Sequence, residues 1–276
     1  MSDTVVLDGV KLIPNGSQAT VRIPAGSLTL IAGPAASGKS RLLRCISGAE
    51  RPHKGQIKLK GKLATGGPHG FWRRATPNAI ARRAAGQGPS DLVVQAMVAT
   101  NLYDFRRTPL SELSASQIAA MEVLPALASD AQILVFDLQL DRLDPWVFDR
   151  VMERLRWRMS SGATVVAATH RPEFLSQADI AILMRAQQIA FAGNQDALRS
   201  LGPPTTLEIE TTDAPAVRAA IEPLVLKVEV LENGLRIETD LEQAVVAQLL
   251  REGFGNLKTI VTRRPTMAEL LRNVIA

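Results

Sequence analysis

An α/β fold with a mainly parallel sheet is what this sequence predicts, on three observations. Stretches of strand length that are apolar apart from Thr29 and Thr164 recur at 28–32, 133–136, 164–168 and 180–184. Strands without a polar face are buried on both sides, as in sheets covered by helices. Helical stretches follow at 41–47, 116–128 and 146–159, so strand and helix alternate. Between the first strand and the first helix stand Gly33, Pro34, Ala35, Ala36, Ser37, Gly38, Lys39 and Ser40, a complete G-x-x-x-x-G-K-[ST] loop.

That loop carries the first chemical expectation. Backbone N–H groups of a tight glycine loop converge on a di- or triphosphate, and the helix beginning near Arg41 adds the positive end of its dipole. Lys39 is expected to reach the β- and γ-phosphates and the Ser40 hydroxyl to sit on Mg²⁺. The next apolar strand ends in Asp137. An acid there is by itself a turn residue or helix cap; beside a phosphate loop it can hold Mg²⁺ through its water shell. The strand at 164–168 leads into Thr169, His170 and Arg171. Alone, His170 reads as a surface or capping histidine. His53 and His69 have no acidic or thiol partners at metal-ligand spacing, which argues against zinc. No G-x-S-x-G nucleophile motif occurs.

Gly202, Pro203 and Pro204 break the pattern, and a second domain is expected over 205–276 after a first over 1–200. Its order is strand 207–211, helix 214–221, strands 226–231 and 235–239 joined by Asn233-Gly234, helix 241–252, strand 257–262 and a closing helix from Met267. This is the order of a small ferredoxin-like α+β domain.

Composition bounds the classes. A chain of 276 residues, 46% hydrophobic and 21% charged, suits a globular protein of one or two domains. No apolar stretch approaches the roughly 20 residues that span a bilayer, and the start Met-Ser-Asp-Thr lacks the pattern of a signal peptide, so a cytoplasmic location is expected. The single cysteine, Cys45, leaves no internal disulfide and reads as a small buried residue on the first helix. The net charge of +5 comes with arginine pairs at Arg73-Arg74, Arg82-Arg83 and Arg106-Arg107. With few aromatics for base stacking they read as solvated or membrane-proximal charge, and no nucleic acid is expected as partner. Glu153, Arg154, Arg156 and Arg158 read as a solvated helix face.

With Leu113-Ser114-Ala115-Ser116-Gln117 before Asp137, Leu143-Asp144-Pro145 after it and His170 beyond, the chain resembles the ATP-binding cassette (ABC) family of transport ATPases over about residues 4–200. Pro52, Gly55, Ile57 and Gly61 resemble the short strand after that family's first helix, and Asp179 with 185–198 its closing strand pair and helix. The tail from Leu207 is similar to the accessory domain of drug-resistance-type exporter ATPases. The resemblance implies a P-loop NTPase fold with ATP and Mg²⁺. Gly33 to Arg41 would bind phosphate, with Mg²⁺ on Ser40 and Asp137 and His170 as the γ-phosphate switch. Ser114, Ala115, Ser116 and Gln117 would cap ATP on an opposite subunit, and Asp144 would join two subunits. Gln87 is the candidate for the glutamine that senses Mg²⁺ and couples to a membrane partner, with an ordinary polar loop residue as the alternative.

Departures from the family shape the functional expectation. Leu138 stands where a glutamate normally polarises the attacking water, a loss worth about 10²–10⁴ in rate. Asp141, four residues past Asp137, is weighed as a substitute base. Ala115 and Ser116 replace two glycines, and Leu12 or Ile13 stands where an aromatic residue would stack on adenine. The expectation is an ATP-binding exporter subunit with impaired hydrolysis, peripheral on the cytoplasmic face of the membrane. It would work with membrane-spanning subunits and an intact second cassette; the alternative is a non-hydrolytic sensing or structural subunit.

Overall fold

The computed structural model describes residues 3–67, 74–252 and 257–275. Two compact units divide the chain, one over 1–198 with 274–276 and the other over 199–273. In the first, β1 (Asp3–Lys11) and β2 (Ala19–Pro24) pair antiparallel, with buried positions facing one side. β3 (Leu28–Ala32) is buried at every residue and leads into α1 (Lys39–Ile46). β4 (Lys54–Leu59) then returns to the far edge of β1, giving a small antiparallel sheet of order β2-β1-β4.

β5 (Leu63–Thr65) opens the central sheet, and the chain next builds a helical layer. α2 (Pro77–Ala85) begins with proline in its first turn, and Thr76 Oγ1 accepts from the Ala79 amide at 3.3 Å. α3 (Ser90–Ala99) and α4 (Ala115–Ala128) pack with it. β6 (Ile133–Asp137), α5 (Pro145–Ser160), β7 (Thr164–Thr169), β8 (Ile180–Arg185), β9 (Gln188–Gly193) and α6 (Gln195–Arg199) complete the alternation. The central sheet runs β5-β6-β7-β3-β8-β9, parallel except for the β8/β9 hairpin at its edge.

One apolar core fixes what matters for the site. Leu42, Leu43, Cys45 and Ile46 of α1 pack between Val5, Leu7 and Ile23 of the small sheet and Ile31, Val135, Val166 and Ile182 of the central one. Fully burying such a side chain contributes about 1.5–3 kcal/mol, so helix and preceding loop are clamped from both sides. Burial also raises the pKa of the Cys45 thiol.

The helix carrying Glu153 and Arg158 departs from the solvated face expected of it. Arg158 is buried, and its guanidinium donates to the carbonyls of Ser129 at 2.8 Å and Ala131 at 2.6 Å, with a longer bond to Leu127. A cation there caps the carbonyl end of α4.

The second unit holds β10 (Thr205–Thr211), α7 (Ala214–Ile221), β11 (Lys227–Leu231), β12 (Gly234–Thr239), α8 (Glu242–Glu252), β13 (Leu257–Arg263) and α9 (Met267–Ile275). Its sheet is antiparallel in the order β11-β12-β10-β13, around Leu207, Ile209, Val217, Ile221, Leu235, Ile237, Val245 and Leu249. Gly234 turns the β11–β12 hairpin at φ +155°, and a Cβ there would run into the Ile209 carbonyl.

Candidate functional site

The loop between β3 and α1 takes its shape from two glycines and one lysine. Gly33 and Gly38 have φ of +154° and +102°, and a Cβ on Gly38 would lie 2.9 Å from Gln187 Cα. The loop therefore lies directly against the β8–β9 turn, where the Gln187 amide donates to Ser37 O at 2.8 Å. Lys39 is 4% exposed and curls back, its Nζ donating to the carbonyls of Gly33 at 2.7 Å and Pro34 at 2.8 Å. Burial is the main cause lowering its pKa, against which Asp137 and then Asp141 act. Ser37 Oγ is buried without a hydrogen-bond partner among the described residues. Arg41 points elsewhere: its Nε pairs with Glu50 at 2.6 Å and its Nη1 donates to Gln187 at 3.1 Å, tying α1 to its surroundings.

Ser40 and Asp137 meet, Oγ donating to Oδ1 at 2.8 Å. A hydroxyl and a carboxylate oxygen are the hard donors that suit Mg²⁺, and the desolvated Lys39 ammonium beside them suits phosphate. The residues present thus fit a magnesium nucleotide. Leu138 follows Asp137 at φ +67°, an unusual conformation for a branched side chain, and packs against the apolar core. No acid stands at that position.

β3 and β7 pair in register with Ala32 opposite Thr169, so Gly33 and His170 leave neighbouring strand ends. The His170 amide donates to Asp141 Oδ2 at 2.6 Å, and Thr169 Oγ1 donates to Asp141 Oδ1 at 2.8 Å. Asp141 lies in the 3-10 turn Leu140–Arg142. Sequence reasoning weighed it only as a base and passed over Thr169; a link across 28 residues leaves no local signal.

The other expected residues are accounted for in different ways. Ser114 and Gln117 form a capping box on α4: the Gln117 amide donates to Ser114 Oγ at 3.3 Å, and the Ser114 amide to Gln117 Oε1 at 2.8 Å. Ala115 and Ser116 are exposed beside them. Asp144 caps α5, its Oδ1 accepting from the Val147 amide at 3.0 Å. Leu12 is buried in the core, and Ile13 is half-buried.

Gln87 is exposed in the turn between α2 and α3, in the helical layer. The chain that leaves the sheet beside Asp137 is Gly66 and Gly67 after β5, whose amides donate to Val135 O and Glu122 O. Arg73 and His69 lie outside the described residues.

A glycine phosphate loop at the end of β3, with a serine and a strand-terminal aspartate bonded beside it, defines a P-loop nucleotide-binding protein. The comparisons narrow this. A sequence profile of the ABC transporter family matches residues 17–138. The chain is 26% identical over 270 residues to the Fe(3+) ions import ATP-binding protein FbpC 1 of Rhodococcus jostii (strain RHA1), covering 90% of this chain and 73% of that one. It is 26% identical over 251 residues to the phosphonates import ATP-binding protein PhnC of Thiobacillus denitrificans, covering 77% and 97%. Among solved structures, the ATP-binding subunit of an ABC transporter superposes with a TM-score of 0.63 at 16% identity, over 71% of this chain and 92% of that one. The fold is that of an ABC ATPase, and residues 17–138 are similar to the ABC transporter family.

Proposed function

We infer that this chain is an ATP-binding subunit of an ABC transporter that holds Mg-ATP at its own phosphate loop and hydrolyses it poorly there. The observation that carries the second half is Leu138. It occupies the position after Asp137 with its side chain against the core, so position 138 supplies no carboxylate to an attacking water. Mg²⁺, when bound, would neutralise phosphate charge between Ser40 and Asp137. Lys39 and the loop amides bind the phosphates, which are contacts separate from the missing base.

Poor hydrolysis fits a pair of unlike cassettes on membrane-spanning subunits, this chain keeping its nucleotide while an intact partner turns over. The exposed segment Ala115-Ser116 at the start of α4 is free to face that partner. Such a subunit sits on the cytoplasmic face of the membrane; among the described residues no helix is long and apolar enough to cross it. The export expectation rests on the tail alone, whereas the two named relatives are import proteins, which favours uptake.

The test is ATP binding and single-turnover hydrolysis by the purified chain with Mg²⁺, using Lys39→Ala as control. Lys39-dependent binding without turnover is expected. Turnover at transporter rates would sink the impaired-site reading, and absence of binding would leave only a structural subunit.

A further inference from the structure

Both oxygens of Asp141 are spent on one short piece of backbone. Oδ2 accepts the His170 amide at 2.6 Å and Oδ1 the Thr169 hydroxyl at 2.8 Å. Thr169 Oγ1 in turn accepts the Arg171 amide at 2.9 Å, so a single carboxylate orders the run Thr169 to Arg171. Bonds to an ionised acceptor are about twice as strong as neutral ones.

The carboxylate itself is held from behind. Leu140 is wholly buried, and Arg142 Nη1 pairs with the buried Glu122 at 2.7 Å, which pins the turn to α4. Thr169 is also wholly buried. Asp141 therefore links two anchored elements, and the one exposed side chain in the linked run 169–170 is His170. The chain at residue 170 leaves the sheet next to Gly33, because Ala32 and Thr169 are paired.

Resting on the reading that this site takes Mg-ATP, we propose that Asp141 is the positioning residue that sets His170 against the terminal phosphate, and so makes the site prefer a nucleoside triphosphate over a diphosphate. Asp141 also acts against the lowering of the Lys39 pKa, after Asp137. With both oxygens accepting, Asp141 serves to hold backbone. The arrangement orders the switch segment before nucleotide arrives, a task that a side chain at position 138 buried against the core does not share.

The experiment measures Mg-ATP and Mg-ADP affinity for wild type, Asp141→Ala, Asp141→Asn, His170→Ala and the Asp141→Ala/His170→Ala double variant, with amide exchange at 169–171 in the nucleotide-free chain. Asp141→Ala is expected to weaken Mg-ATP by roughly tenfold, the scale of one charge-assisted hydrogen bond, and Mg-ADP by less than about twofold. The double variant should lose no more than either single, and exchange at His170 should rise. Asparagine can accept from the His170 amide and donate to a turned Thr169 hydroxyl, so Asp141→Asn should recover most of the ATP preference. An unchanged ATP-to-ADP ratio in Asp141→Ala, or losses that add in the double variant, overturns the proposal. Loss of single-turnover chemistry in Asp141→Asn with affinity intact would make Asp141 a base instead, which also overturns it. If the alanine variant does not fold, Thr169→Val removes the other half of the link and must show the same ratio change. Failure of wild type to bind either nucleotide would count against the ATP reading itself.

Discussion

The Ser40 hydroxyl donates to the Asp137 carboxylate at 2.8 Å, joining residues 97 apart in the chain. One comes from the first turn of α1 and the other from the end of β6, and the core beneath both is shared. The oxygens are therefore placed by packing, before any cation arrives. Ser40→Ala and Asp137→Asn should each weaken the Mg²⁺-dependent part of ATP binding by roughly 10–100-fold, while ATP binding in chelator changes far less. Titrations with and without Mg²⁺ check this; an equal loss in both would mean the pair serves only the loop.

Leu138→Glu tests the missing base. A carboxylate restored beside Asp137 should raise single-turnover hydrolysis by about 10²–10⁴. The gain comes with a cost, since Leu138 packs against the apolar core and glutamate gives up that packing. Thermal unfolding should move down while hydrolysis moves up. Unchanged turnover in a folded variant would favour a non-hydrolytic subunit.

Arg158 predicts a stability effect away from the site. Its fork satisfies the carbonyls of Ser129 and Ala131 inside the fold. Arg158→Met leaves buried acceptors without donors and should cost about 2–5 kcal/mol in urea unfolding. Arg158→Lys should recover only part, because one ammonium cannot reproduce a planar fork. A loss under about 0.5 kcal/mol for methionine would show that water reaches these carbonyls.

How far these features were legible depends on how local they are. β3 and β6 announce themselves as mostly apolar runs, and the loop 33–40 is contiguous, so the cassette could be read directly. β5 has three half-buried residues, too few for any periodicity. β1 and β2 alternate around irregular pairings and were not anticipated. Arg158 sits on a helix with several charges, and periodicity alone did not separate the one turned inward from the exposed Glu153 and Arg156. Ser114 and Gln117 match a capping box in the sequence itself, yet were read only for what they might present to another chain. The Asp141 link to Thr169 and His170 is purely tertiary, and nothing near position 141 encodes it.

Lys39 gives the pH dependence, and its sign can be worked out. Burial lowers its pKa below the ordinary lysine value of about 10.4, which the unfolded chain retains. Between the folded and unfolded values the unfolded chain binds more protons, so stability rises with pH through that window. Below the folded value the ammonium stays charged in both states, and its desolvation cost is present in full. Lys39→Met keeps the length without the titration, and should flatten the rise in unfolding free energy on the alkaline side, below the ordinary lysine value. Urea unfolding at stepped pH on the nucleotide-free chain measures both slopes. Parallel slopes would mean that the Gly33 and Pro34 carbonyls, together with Asp137 and Asp141, repay the buried charge in full.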